Sequence, residues 1–183
     1  MEIVSRNLKH TGFFYINSAN HLKNIILFRH AIPENNSFIK DHDRPLSSNG
    51  ILDAKKMGVY LTTKNEFPEI VISSTALRAK NTAELAMEEG KWNCKIIFES
   101  GIYKCDILFL LKFVNQLDDV LSSICLVGHE PHFSNYIAQS TGDTYHRFSK
   151  GSMARVDFDV NSWKDIAMGT GKLIWRVQPK EVS

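Results

Sequence analysis

The sequence of 183 residues lacks several features that would have set its class at once. It has three cysteines, Cys94, Cys105 and Cys125. Their number is odd, their spacings are wide and no CxxC pair occurs, which argues against a structural zinc site. Cys125 stands inside the apolar run Ile124–Val127 and reads as a small buried hydrophobe, and the set as a whole fits a reducing compartment. An excess of charge is also missing: 22 basic residues face 20 acidic ones, for a formal charge of +2. Such a balance gives no broad field for nucleic acid or an anionic membrane, so any anion binding must be local. No apolar run approaches the length needed to cross a bilayer. Repeats and low-complexity tracts are absent. The first twenty residues lack the long apolar core and small-residue cleavage site of a signal peptide. Residues 1–22 therefore read as an N-terminal extension to one domain over 23–183, and the expected location is cytoplasmic.

What is present is ordinary in amount and informative in order. Hydrophobic residues make up 43% and charged residues 23%, as in a soluble globular protein. A chain of this length buries roughly 70% of its unfolded surface, enough for one core. Short β-branched runs alternate with longer amphipathic ones. Ile25–Phe28 is a continuous apolar run, the pattern of a strand buried on both faces. Ser47 opens a helix through about Thr63, with Ile51, Ala54, Met57, Val59 and Leu61 as its apolar stripe. Pro68 marks a stop and Glu69–Ser73 is a second strand. Thr75 is placed to cap the next helix, which ends at Gly90.

Lys95–Phe98 is a third strand. Asp106 caps a helix that carries Leu108, Leu110, Leu111, Val114 and Leu117. Ile124–Gly128 is a fourth strand, and Pro131 sits where the first turn of a helix running to about Ser140 would begin. Met153–Phe158 and Leu173–Val177 read as two further strands joined through Asn161–Gly171. Strands alternating with helices predict a three-layer α/β/α fold around a mainly parallel sheet. Ligand sites in such sheets lie beyond the carboxyl ends of the strands.

That rule singles out the residues after the strands. The first ends in Arg29-His30, the second in Ser73-Ser74 with Arg78 soon after, and the fourth in Gly128-His129. Arg44 lies between the first strand and the first helix. Three arginines and two histidines on one rim, with no compensating ring of carboxylates, would form a compact anion pocket suited to phosphoryl oxygens. A neutral imidazole is a good nucleophile toward phosphorus near neutral pH. Phosphoryl transfer needs positioning and charge stabilisation, which arginines can supply. No obvious Asp/Glu cluster for magnesium is visible, so no metal or other cofactor is expected.

The segments around these residues resemble one family. Leu27-Phe28-Arg29-His30-Ala31 resembles the Arg-His signature of the histidine phosphatase superfamily, whose fold is that of the phosphoglycerate mutases. Asp43-Arg44-Pro45-Leu46-Ser47 with Gly50, Ser73 to Ala83 with Arg78 and Thr82, and Leu126-Val127-Gly128-His129-Glu130-Pro131 resemble motifs of its SixA-type branch. Phe148 to Phe158 resembles that branch's C-terminal stretch. The likeness covers about residues 23 to 180, in order. It implies that His30 is the phosphorylated nucleophile. Arg29, Arg78 and His129 would complete the catalytic set and bind the phosphoryl group, with Arg44 as a further contact. The implied substrate is phosphohistidine in a protein. The alternatives are a small phosphomonoester, or a non-catalytic phosphate-recognising module.

The chain departs from that pattern at Ile32-Pro33, Asn49, Glu130 and His132. Alkyl phosphates require a general acid because an alkoxide leaves poorly. Glu34, Asp41, Asp43, Glu99 and Glu130 are candidates by position alone, and none stands out. The deficit favours N–P bonds or activated P–O bonds over sugar phosphates. Glu130, His132 and His42 read as solvated loop residues, and Trp92, Trp163 and Trp175 as packing.

Overall fold

The computed structural model describes residues 22–144 and 147–183. The N-terminal extension up to residue 21 therefore lies outside the described residues. Six strands form one sheet: β1 (Leu22–Arg29), β2 (Ile70–Ser74), β3 (Lys95–Glu99), β4 (Ser123–Gly128), β5 (Met153–Asp159) and β6 (Gly171–Val177). Their order is β3-β2-β4-β1-β5-β6. β3, β2, β4 and β1 run parallel; at one side β5 joins β1 antiparallel and β6 joins β5 antiparallel. Among the described residues four α-helices connect them: α1 (Ser48–Thr63), α2 (Leu77–Gly90), α3 (Ile107–Val114) and α4 (His132–Thr141).

Strand periodicity divides the core. Side chains alternate across a strand, so Ile25 and Leu27 of β1 and Ile124 and Leu126 of β4 join one apolar cluster, with Leu110 and Val114 of α3 and Phe133 and Tyr136 of α4. Their neighbours Ile26, Phe28, Cys125 and Val127 join the other, with Met57 and Leu61 of α1 and Ala79, Ala83 and Ala86 of α2. The result is the expected α/β/α sandwich, with α1 and α2 on one face and α3 and α4 on the other.

Register fixes where the polar residues emerge. Arg29 pairs with Gly128, and Ser73 pairs with Val127. The carboxyl ends of β1, β2 and β4 are thus level, and the residues following them open onto the same rim.

Three local expectations are revised. Ala76, not Thr75, precedes α2, and it gives no side-chain cap. The Thr75 hydroxyl lies 3.1 Å from His42 Nε2 instead. Along α1 the buried row is Ala54, Met57, Gly58 and Leu61, whereas Ile51 and Val59 are exposed. The 3.6-residue period selects 54, 57, 58 and 61 and carries 59 off the stripe, whereas Ile51 shares the face of Gly58 but stands in the exposed first turn of the helix. Pro131 stands just before α4, not inside its first turn.

α1 and α2 pack closely because Gly58 has no side chain. A Cβ there would lie 2.1 Å from the Ala86 carbonyl oxygen. The obstacle is backbone and cannot swing aside. Gly58→Ala is expected to destabilise the fold by about 1–3 kcal/mol, the usual cost of overpacking. Urea unfolding of the two proteins measures it; an unchanged midpoint would contradict the packing described.

Candidate active site

His30 follows β1 directly, and its place is fixed by backbone. Its amide donates to Gly128 O on β4 at 3.0 Å, and its carbonyl accepts from Gly151 N at 3.1 Å. The ring is 6% exposed. Nδ1 lies 2.8 Å from the carbonyl oxygen of Ala31. A carbonyl only accepts, so Nδ1 carries the hydrogen and Nε2 of the neutral ring presents a lone pair. Arg78 Nε donates toward that Nε2 at 3.3 Å.

The next residues lock this arrangement to both helices of one face. Ala31 N donates to Thr82 Oγ1 at 3.0 Å, and the Thr82 hydroxyl donates back to the Arg78 carbonyl at 2.6 Å. Ile32 O accepts from the amide and the hydroxyl of Ser47, which caps α1 by accepting from Gly50 N. A Cβ on Gly50 would stand 2.1 Å from Ile32 O. Thr82 and Gly50 were quoted in the sequence as parts of motifs; the structure shows that they position the segment carrying His30.

The other predicted residues come to the same place, with one difference. Arg78, in the first turn of α2, and His129, after β4, are 6% and 5% exposed. The rings of His30 and His129 are 5.1 Å apart. Ser74 Oγ lies 2.8 Å from His129 Nε2. Arg29 donates to Phe148 O at 2.5 Å. Arg29, His30, Arg78 and His129 line one cleft of about 210 Å³, with Asp41, Tyr103, Lys104, Glu130 and His132. Arg44 does not line it; its guanidinium donates to Asp41 Oδ1. A larger cavity of about 330 Å³ involves α4 and β6; among the described residues it is lined by Ile137, Ala138 and Leu173 with Arg176 and Asp143, and by no histidine.

The expected absence of a compensating carboxylate is corrected by Asp41. It sits on a short 3-10 turn, Asp41–Asp43, in the β1–α1 connection. Its Oδ2 accepts from Arg78 Nη2 at 2.9 Å and from the Tyr103 hydroxyl at 2.8 Å, and its backbone carbonyl accepts from Arg78 Nη1 at 2.5 Å. Partial burial works against its charge. Hydrogen bonds from Tyr103 and Arg44 and the charge of Arg78 outweigh that and hold the carboxyl well below the usual carboxylate range. Glu130 lines the cleft too, but its oxygens accept from Ser134 N at 3.1 Å and Ser134 Oγ at 2.5 Å at the start of α4. Glu99 caps the turn after β3 through Gly101 N, and Asp43 pairs with His42. His42 is half-exposed and meets the Tyr103 ring edge-on.

Tyr103 was not foreseen. Its ring lies edge-on to His129 at 5.5 Å and beneath the Arg78 guanidinium at 5.9 Å. The signal was available, because Tyr103 stands four residues past the end of β3, as Arg78 stands four past the end of β2. The rule about strand ends finds it when applied to the third strand as well.

Burial sets the charge of both histidines. Desolvation, helped by nearby Arg78 and Arg29 and by each other's company for His30, lowers His30 from 6.5 to about 3. Desolvation followed by Arg78 and His132 lowers His129 to about 3. The folded chain therefore keeps both rings neutral where the unfolded chain protonates them. Between pH 6.5 and 3 the unfolded state binds more protons, so stability is complete above 6.5 and falls as pH drops toward 3. Wild type is expected to lose more urea resistance between pH 7.5 and 5.0 than the His30→Gln/His129→Gln double variant. Equal losses would remove the histidines as the cause.

Comparison with known proteins accords with the geometry. The family model of the histidine phosphatase superfamily (branch 1) matches residues 25–103. An uncharacterized protein of Mycobacterium leprae is 29% identical over 104 residues, 57% of this chain and 62% of that protein. The structure of SixA from Nakamurella multipartitia aligns with a TM-score of 0.75 at 21% identity, covering 86% of this chain and 96% of that one. The protein histidine phosphatase SixA complexed with tungstate aligns with a TM-score of 0.75 at 22% identity, covering 86% and 97%. At these identities the structural likeness is one of fold, the phosphoglycerate mutase-like α/β sandwich. The family match takes in His30 and Arg78 and spans less than half of the chain, and the fold around it is the one shared with these structures.

Proposed function

We propose that the protein is a phosphatase of the SixA type, that it works through a phosphorylated His30, and that its substrate is phosphohistidine in a protein. The observation that carries this reading is the state of His30. Its ring is neutral, anchored through Nδ1 to the Ala31 carbonyl, and turns its Nε2 lone pair toward Arg78 in the cleft. Such a nitrogen can attack phosphorus without first losing a proton.

In the proposed reaction Nε2 donates its pair to phosphorus. The bond to the leaving group breaks and its electron pair departs with that group. Arg29, Arg78 and His129 hold the phosphoryl oxygens as charge shifts among them. Water then attacks phosphorus, the bond to Nε2 breaks, and inorganic phosphate and the neutral imidazole are restored. Tungstate, bound by one structure of the same fold, is a tetrahedral oxyanion like phosphate and supports an anion-binding role for the cleft. Arg44 acts through Asp41.

Support for a protein substrate is the likeness to the SixA proteins. A cytoplasmic site of action suits the three free thiols. Among the described residues no helix is long and apolar enough to cross a membrane.

The test is phosphate release from a phosphohistidine-bearing protein and from an aryl phosphate, with a chelator present. His30→Ala is expected to lose both activities to background while remaining folded. Arg78→Ala is expected to weaken phosphate binding and lower kcat together by about 10²–10³-fold, the scale for removing one preorganised donor. Full activity of His30→Ala would defeat the mechanism. Activity on the aryl ester alone would keep the mechanism and change the substrate. Phosphate binding without release from either would identify a recognition module.

A further inference from the structure

A carboxylate beside a phosphoryl site is an odd neighbour, because it repels the anion the site is built to hold. Of the five acids considered as proton donors, only Asp41 and Glu130 line the cleft. Glu130 is taken up by Ser134. Asp41 is open to an incoming group, its side chain being 53% exposed. An ionised carboxylate offers about four lone-pair positions. Oδ2 receives Arg78 and Tyr103, while Oδ1 receives Arg44 alone. One acceptor position on Oδ1 is therefore left.

We propose that Asp41 makes this site selective for phosphoryl groups carried on nitrogen, by accepting a hydrogen bond at Oδ1 from a leaving group that enters in its protonated, cationic form. The inference rests on the reading of the protein as a phosphatase and names the chemical class of its substrate, a phosphoramidate. A phosphoester brings only negative charge to Asp41 and meets repulsion. A phosphoimidazolium or phosphoammonium group places a positive charge between the phosphorus and the carboxylate, and the repulsion becomes attraction. Asp41 is ionised and has no proton to give an alkoxide, so an alkyl ester gains nothing from it. A protonated nitrogen leaving group needs none.

The step balances without a general acid. His30 Nε2 donates its pair to phosphorus. The N–P bond breaks, and its pair stays on the leaving nitrogen. A phosphoimidazolium that entered with a proton on its far nitrogen leaves as neutral imidazole. Phosphoramidate that entered as the ammonium form leaves as ammonia. Asp41 keeps its charge throughout.

The experiment compares kcat/KM for three probes: a phosphohistidine protein, phosphoramidate itself and p-nitrophenyl phosphate. It uses wild type, Asp41→Asn and Asp43→Asn. Asp41→Asn should lower the ratio of phosphoramidate to aryl ester activity by about tenfold or more. Asp43→Asn removes the same charge from a neighbour that does not line the cleft and should leave the ratio at the wild-type value. If both substrates fall together in Asp41→Asn, the residue only holds Arg78 and the inference is overturned. It is overturned too if wild type cleaves the aryl ester and neither nitrogen-linked probe. Cleavage of phosphoramidate but not of the phosphohistidine protein, with the ratio still falling in Asp41→Asn, upholds the inference and removes the protein substrate.

Discussion

The bond from His30 Nδ1 to the Ala31 carbonyl is the contact on which the rim depends. It decides which nitrogen of a buried neutral ring carries hydrogen, and so which one faces the cleft. The carbonyl is useful only because it cannot move. Ala31 is tied through its amide to Thr82 on α2, and the next residue, Ile32, is tied through its carbonyl to Ser47 at the start of α1. The cap of α1 and the second turn of α2 thus grip the two residues after the nucleophile candidate. The sheet holds the residue from the other side, through Gly128 on β4. Preorganisation of this kind removes the need to order the ring when a substrate arrives.

The second constraint is charge. Arg29 and Arg78 approach two imidazoles in a largely dehydrated place, where a further positive charge would be costly. Keeping both rings neutral avoids that cost, and burial does most of this work. Asp41 offsets part of the remaining charge while it fixes Arg78 through two of the guanidinium's nitrogens. Tyr103 joins the same carboxylate and packs against both Arg78 and His129. The connection between β1 and α1 and the turn after β3 therefore complete a rim that the ends of β1, β2 and β4 begin.

Much of this was legible in the residues. Continuous apolar runs such as Ile25–Phe28 and Ile124–Val127 identify strands covered on both faces, because a polar residue in either position would be buried without a partner. Strand–helix alternation then implies a parallel sheet, and a parallel sheet gathers Arg29, His30, Arg78 and His129 at its carboxyl edge. Helix stripes were read less well. Val59 is apolar yet lies off the α1 stripe, because burial follows angle around the helix, and Ile51 lies on the stripe's face but in the exposed first turn. Thr75 looked like a cap because its type suits one, yet its hydroxyl meets His42 across a gap of 33 residues.

The sequence by itself determined the order of elements and the residue types brought to the rim, since both follow from local periodicity and from the rule that parallel strands expose their carboxyl ends together. Tertiary structure alone decided the pairing of Asp41 with Arg78, Arg44 and Tyr103, and the reduction of Arg44 to a partner of Asp41. Those contacts depend on where an irregular connection folds back over the sheet. No period governs such a segment; its path is chosen by the charge and hydrogen-bond donors it finds there, and these belong to residues 37 and 62 positions away.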